Sequence, residues 1–239
     1  NKKLSLTAYE AIKIPTNLKL TKIDDAAIDE EGTESQTTQP IIKIEPSKNE
    51  TNSKYAIGID LGTTVSSLCY IDLNNEPEKI HELSIKQVFP NKREVTDTKL
   101  PSVVYTKNST LFIGKGAEEM KYSSIRDMNV FYSAKSQLGQ KHIYHLSKSD
   151  DITYPYQVSG LILRTLLNSF MENVCNDSQS CNFVITVPAS FGGSQRADTI
   201  KAIKESGIEV KEGMLIDEPN AAFVGYTNQI NGFSLPEGT

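Results

Sequence analysis

Apolar and polar positions begin to alternate in short runs at Lys54, and turn-forming residues bound each run. At 156–175 apolar residues instead recur every three or four positions, which predicts an amphipathic helix. The stretch 114–139 is mixed and predicts mostly helix. The alternating runs predict strands over residues 55–60, 67–73, 80–88, 100–105 and 110–113.

Strand and helix patterns alternate in the last third of the chain. The first of these strands is apolar almost throughout, which is typical of a sheet covered on both faces. Ser194 is the predicted N-cap of the next helix and Gly207 its stop, while Pro219 suits the first turn of the last helix. The elements are strands at 182–188 and 214–216 and helices at 194–206 and 219–226. Antiparallel strands followed by this alternation predict a mixed α/β sheet with an inserted subdomain.

Residues 1–53 lack this regular pattern. Only Tyr9 of the 18 aromatic residues falls here, and the segment 24–40 is acidic and rich in Ser, Thr and Gln. Such a composition buries too little apolar surface to offset the entropy of ordering. We therefore predict a largely disordered extension or linker. Because the chain begins with Asn1 rather than Met, we also expect it to be a piece of a longer protein.

Composition narrows the function classes. The net charge of −5 argues against a nucleic-acid partner, and no apolar run is long enough to predict a membrane span. Three cysteines make no disulfide framework, so the cytoplasm is the expected compartment. Cys69 is expected to be a buried free thiol. Cys175 and Cys181 flank a polar turn and could pair, although free thiols are the favoured interpretation.

Candidate chemistry begins where the first strand ends. Asp60 is followed by Gly62, Thr63 and Thr64, a pattern that suits phosphate binding: glycine permits close backbone approach, hydroxyls donate to phosphate oxygens, and a carboxylate holds hydrated Mg²⁺. Glu218 ends another strand, and ligands collect at such strand ends. Asp60 could instead cap a turn, and Glu218 could be a first-turn helix acid. No P-loop motif occurs in the sequence.

Further motifs turn this pattern into a resemblance. Residues 56–64 (Ala-Ile-Gly-Ile-Asp-Leu-Gly-Thr-Thr) resemble the first phosphate loop of actin-like ATPases. Residues 183–196, Phe-Val-Ile-Thr-Val-Pro-Ala-Ser-Phe-Gly-Gly-Ser-Gln-Arg, are similar to the first connecting segment of the Hsp70 chaperone family. Segments 100–104, 131–139 and 215–222 also match that family in order and approximate spacing. The resemblance covers residues 54 to 228 and implies the α/β, actin-like ATPase (ribonuclease H-like) fold.

The resemblance implies a domain plan. Residues 54–239 would be the first lobe of an Hsp70-like nucleotide-binding domain. Within it, 54–88 and 155–230 would form subdomain IA, and 89–154 a trimmed inserted subdomain IB. The second phosphate loop, the adenosine pocket and the substrate-binding domain do not occur in these 239 residues. The chain alone is thus expected to bind ATP weakly and to be inactive.

The resemblance also implies residue roles. Asp60 would organise the hydration shell of Mg²⁺, while Gly62, Thr63 and Thr64 would hold the phosphates of ATP or ADP. Lys135 would stabilise the attacking water or its developing charge; the alternative is a solvated surface lysine.

Three further roles follow from the same comparison. Glu218 would position water and couple nucleotide state to domain motion. Pro188 and Arg196 would link hydrolysis to the substrate-binding half, their alternatives being strand termination and a helix-surface charge.

Departures from the family pattern mark a divergent member. Val65 stands where the family usually has an aromatic residue beside the nucleotide. Ser136 and Gln140 replace basic residues, and Asp217 and Asn220 alter the Glu-Pro segment.

The predicted function is that of an ATP-hydrolysing Hsp70-like chaperone. Its expected partners are unfolded client proteins, a J-domain co-chaperone and a nucleotide exchange factor. Two alternatives remain open: a cytoskeletal actin-like ATPase similar to MreB, and a non-catalytic Hsp70-like scaffold.

Overall fold

The predicted elements occur in the predicted order, but strands at 94–97 and 130–132 were not predicted, and the strands predicted over 80–88 and 100–105 are each two strands. The computed structural model describes residues 53–107, 110–121, 129–144, 152–177, 180–208, 210–211 and 213–229. The extension predicted at 1–53 therefore lies outside the described residues, apart from Ser53. The described strands are Tyr55–Asp60 (β1), Val65–Asp72 (β2), His81–Glu82 (β3), Ile85–Val88 (β4), Glu94–Asp97 (β5), Leu100–Pro101 (β6), Val103–Lys107 (β7), Thr110–Ile113 (β8), Val130–Tyr132 (β9), Cys181–Val187 (β10) and Leu215–Asp217 (β11). The described helices are Lys115–Lys121 (α1), Ala134–Gln137 (α2), Pro155–Asn173 (α3), Gly193–Ser206 (α4) and Glu218–Gln229 (α5).

A mixed sheet forms the centre of the fold. Its order among the described strands is β11-β10-β1-β2-β3, with β6 pairing to the start of β2. β10 runs parallel to both β1 and β11, whereas β2 is antiparallel to β1. In the register of the parallel pair, Asp60 lies beside Thr186. The carboxyl ends of β1, β10 and β11 consequently meet at one edge of the sheet.

Helices α3 and α4 pack against each other and help to cover the sheet. Ile57 and Ile59 of β1 are buried, while Gly58 and Asp60 between and after them are exposed, so in the described part of the chain the side chains of β1 are covered on one face. The predicted full burial of β10 is likewise wrong for Val184 and Thr186, which are half-buried.

The apolar stripe predicted for α3 is confirmed but too narrow. Of the predicted stripe, Val158, Ile162, Leu166 and Phe170 are buried as expected, whereas Leu161 and Thr165 are only half-buried. Leu163 and Leu167 lie off that stripe and are buried too, and α3 contacts α2, α4 and strands of both larger sheets.

Several predicted boundaries need correction. The strand predicted over 80–88 is two strands, because β3 pairs with β2 while β4 pairs with β5. The sequence did not predict β5, since its residues are mostly polar and show little alternation of apolar and polar positions. Helix α4 is capped by Gly192 rather than Ser194: the Gly192 N–H donates to the Gln195 side chain at 2.9 Å. Gly207 ends this helix as predicted, in the left-handed conformation with φ 94°.

The remaining described strands form two smaller sheets. One has the order β8-β7-β9 and the other pairs β4 with β5. Helix α1 packs against β7 and β8. No helix in the described part of the chain has both the length and the apolar character needed to cross a membrane.

The cysteines are all free thiols. Cys69 is half-buried rather than fully buried, and burial together with the nearby Glu82 raises its pKa. Cys181 is buried, and desolvation raises its pKa well above the usual value for a thiol. The Cys175 and Cys181 thiols donate hydrogen bonds to the same carbonyl oxygen, that of Asp177.

Candidate active site

A cleft of about 530 Å³ opens at the edge where the parallel strands end. Six of the residues singled out in the sequence line it: Asp60, Gly62, Thr63, Lys135, Pro188 and Glu218. Thr186, Ala221 and Ala222 complete the lining. Thr64 and Arg196 do not line the cleft; both are bonded to the chain behind it. The fold thus brings together residues from β1, α2, β10 and α5, among them Asp60 and Glu218, which are 158 positions apart.

The loop after β1 depends on the absence of a side chain at one position. A Cβ atom added to Gly62 would overlap the carbonyl oxygen of Val65, so only glycine fits without movement of the backbone. Thr63 follows and lines the cleft. The Thr64 carbonyl accepts a hydrogen bond from the Ser102 N–H at 2.7 Å, which ties this residue to the chain beneath the loop.

Asp60 is held by a residue that the sequence analysis missed. The Thr186 hydroxyl donates to Oδ1 of Asp60 at 3.0 Å, and Thr186 itself lines the cleft. This bond follows from the β1–β10 register, which places the two residues side by side. The available signal was a polar residue, Thr186, within the apolar run that ends at Pro188.

Lys135 and Glu218 form an ion pair in the wall of the cleft. Lys135 Nζ lies 2.6 Å from Glu218 Oε1, although 83 positions separate the two residues. The lysine side chain is 7% exposed and the glutamate side chain 42% exposed. Ser133, just before α2, has φ 55°, a left-handed conformation uncommon for a residue with a side chain. Because the Lys135 side chain is nearly buried and paired with Glu218, its interpretation as a solvated surface lysine is wrong.

Arg196 sits behind the cleft and contacts two segments that border it. Its Nε donates to the Phe191 carbonyl at 3.0 Å, and its guanidinium group pairs with the Asp217 carboxylate. The Phe191 N–H donates in turn to the Pro188 carbonyl at 3.0 Å. Arg196 is thus half-buried and bonded on both sides, unlike a free charge on a helix surface.

The donor set suits a nucleotide with hydrated Mg²⁺. The described residues include no group of three or more His, Cys, Asp or Glu side chains that could ligate a metal directly. Mg²⁺ instead keeps several waters and is held by one or two carboxylates together with phosphate oxygens. Asp60 is an exposed carboxylate that a neighbouring hydroxyl orients, and Lys135 adds a cation that can face phosphate. The residues that line the cleft therefore fit a nucleotide with hydrated Mg²⁺.

Comparison with known proteins identifies relatives of the chain. The family model described as "Hsp70 protein" matches residues 56–230, which takes in nearly all of β1 and every later described element. The chain is 32% identical over 193 residues to the chaperone protein dnaK of Cyanidioschyzon merolae, an alignment that covers 71% of this chain and 29% of the relative.

Two further relatives carry the same name. They are the chaperone protein dnaK of Trieres chinensis, 31% identical over 193 residues, and that of Cyanidium caldarium, 31% identical over 194 residues. Each alignment covers 71% of this chain and 28% of the relative. The matched region thus spans less than a third of the length of these relatives.

Proposed function

The chain belongs to the Hsp70 family, and from this premise we propose that the full-length protein is a molecular chaperone that binds and hydrolyses ATP. The family has the actin-like ATPase fold, and the mixed sheet with its helices is the corresponding α/β structure. The observation that carries the proposal is the cleft in which Asp60, Lys135 and Glu218 come together. The family match also favours this function over a cytoskeletal role.

Binding would take place at the strand ends. Asp60, oriented by the Thr186 hydroxyl, would hold a hydrated Mg²⁺ ion. The hydroxyl of Thr63 and the backbone amides of Thr63 and Thr64 donate to phosphate oxygens, while the Gly62 N–H is engaged by the Ser66 hydroxyl. When bound, Mg²⁺ neutralises charge that builds up on the phosphates.

Hydrolysis would use the Lys135–Glu218 ion pair in the wall of the cleft. The Lys135 ammonium group is fixed by its contact with Glu218, so it stabilises developing negative charge without having to reorganise. The exposed side of the Glu218 carboxylate positions the water that attacks the terminal phosphate. The products are ADP and inorganic phosphate. Pro188 lines this site and Arg196 contacts segments that border it, so the two residues would relay its state to the rest of the protein.

Client and co-chaperone binding are proposed for the whole protein. The relatives' name, chaperone protein dnaK, supports unfolded proteins as clients. We propose in addition a J-domain co-chaperone, a nucleotide exchange factor and a cytoplasmic location. Refolding of a denatured reporter enzyme should require ATP, and refolding that proceeds equally without ATP would contradict the chaperone proposal.

Nucleotide binding is tested by calorimetric titration of ATP with Mg²⁺ into the full-length protein. Asp60→Asn should weaken the affinity measured with Mg²⁺ but leave the affinity measured in EDTA nearly unchanged, because the carboxylate acts through the hydrated ion. Glu78→Gln removes an exposed carboxylate outside the cleft and should change neither affinity. Absence of ATP binding by the unaltered full-length protein would refute the proposal. The 239 residues alone should bind and turn over ATP weakly or not at all.

A further inference from the structure

Two buried serines lie beneath the loop that follows β1. Ser66 is 1% exposed and Ser102 is 3% exposed. Ser66 belongs to β2, while Ser102 lies 36 positions later, between β6 and β7. Both hydroxyls contact the same loop glycine: the Gly62 N–H donates to Ser66 Oγ at 3.1 Å, and Ser102 Oγ donates to the Gly62 carbonyl at 2.8 Å. The two hydroxyl oxygens are 2.9 Å apart.

The directions of these hydrogen bonds follow from the number of protons. A hydroxyl has one hydrogen to donate, and a carbonyl oxygen can only accept. The Ser102 proton is directed to Gly62, so Ser66 must be the donor in the bond between the two hydroxyls. The result is a closed ring that leaves Gly62 through its N–H and returns to its carbonyl oxygen. Bonds arranged in one direction polarise and strengthen each other.

Buried hydroxyl groups normally form hydrogen bonds. Here the partners of the two serines are backbone groups of the loop, so the bonds also fix the shape of the loop. The ring engages both polar backbone groups of Gly62, the residue at which no side chain fits. Ser102 adds a second attachment, because its N–H donates to the Thr64 carbonyl at 2.7 Å. The loop is therefore held from beneath on both sides of Thr63, the hydroxyl residue that lines the cleft.

We propose that Ser66 and Ser102 are positioning residues that hold the loop of Gly62, Thr63 and Thr64 in its phosphate-binding shape. This inference rests on the proposed function, since it assigns the serines to the phosphate end of the ATP site. Ser102 lies where the chain leaves the central sheet and enters the three-stranded sheet. The residue that links β6 to β7, at the entry to the three-stranded sheet, therefore helps to set the position of the loop.

The test compares nucleotides that differ in phosphate content. ATP and adenosine are titrated by calorimetry into the full-length protein and into its Ser66→Ala and Ser102→Ala variants. Loss of a hydrogen bond that shapes the loop should weaken ATP binding about tenfold and leave adenosine binding unchanged. Ser159→Ala is the matched control, because Ser159 is equally buried but lies in α3, outside the lining of the cleft. It should change neither affinity.

The outcomes separate this inference from the proposed function. Equal losses for ATP and adenosine would show a merely structural role and overturn the inference, as would unchanged ATP affinity in both variants. If the unaltered protein binds no ATP, the proposed function itself fails. Should Ser102→Ala not fold, Ser102→Cys replaces it in the same comparison, since its thiol is nearly isosteric but a weak donor.

Discussion

Removal of the carboxylate from the Lys135–Glu218 pair should destabilise the protein more than removal of the ammonium group. In Glu218→Gln, a lysine side chain that is only 7% exposed loses its counter-charge. In Lys135→Met, the buried charge disappears and a similar apolar length remains, while the glutamate is 42% exposed and can be solvated. The asymmetry follows from the unequal burial of the two partners.

The structure sets the size of the effect. Two unit charges about 4 Å apart attract by about 4 kcal/mol at an effective dielectric constant of about 20. Water reaches the glutamate, which reduces that value substantially. We expect Glu218→Gln to cost about 1–2 kcal/mol in the free energy of unfolding. Lys135→Met should stay within about 1 kcal/mol of the unaltered chain, because it also relieves the desolvation of a buried charge.

Urea unfolding of the 239-residue chain, followed by circular dichroism at 222 nm, measures these differences. A double-mutant cycle with Lys135→Met/Glu218→Gln isolates the pair, since the second substitution should cost little once the lysine charge is gone. The exposed pair of Lys79 and Glu76, at 2.9 Å, is the matched control and should show much weaker coupling. Equal costs for both single substitutions, or coupling no larger than in the control pair, would refute the reasoning.

Three further predictions concern other parts of the molecule. Gly62→Ala should abolish ATP binding by the full-length protein with circular dichroism unchanged, because the new methyl group must displace the loop. The Lys115 hydrogen bond lowers the pKa of Asp97, so the stability lost in Asp97→Asn should be full at neutral pH and vanish as pH falls through that lowered pKa. Iodoacetamide at neutral pH should modify Cys175 before Cys181, whose thiol is buried with a raised pKa, and mass spectrometry detects the order.

Each of these predictions has a result that contradicts it. Unchanged ATP affinity in Gly62→Ala would show that the loop tolerates a side chain. A stability difference for Asp97→Asn that persists at low pH would remove the ion pair as its cause. Equal alkylation rates at the two cysteines would mean that Cys181 is accessible.

Much of the central sheet was predictable because its strands are short apolar runs. The bounds of β1 match the prediction completely, and β10 and β11 are each displaced by one residue. The burial of α3 was only partly predictable. Its apolar periodicity indicates one buried face, but it cannot show that helices and strands pack against more than one side of this helix. The split between β3 and β4 depends on their pairing with different strands, which no local pattern records.

The site residues that belong to sequence motifs were predictable, whereas the contacts that depend on strand register were not. Asp60, Lys135 and Glu218 were all singled out from the sequence and lie in one cleft. The contact of Thr186 with Asp60 arises from alignment of two strands that are distant in sequence. The roles of these residues, and the subdomain boundaries at 54–88, 89–154 and 155–230, stay predictions.

The most direct test of the account is ATP turnover by the full-length protein and its Lys135→Ala variant. Release of phosphate is measured at saturating ATP, and ATP affinity is measured in parallel by calorimetry. We expect turnover by the unaltered protein, and loss of turnover in the variant with ATP affinity retained. Unaltered turnover in Lys135→Ala would remove this lysine from the mechanism. An unaltered protein that binds ATP but never releases phosphate would identify a non-catalytic scaffold and contradict the proposal that this protein hydrolyses ATP.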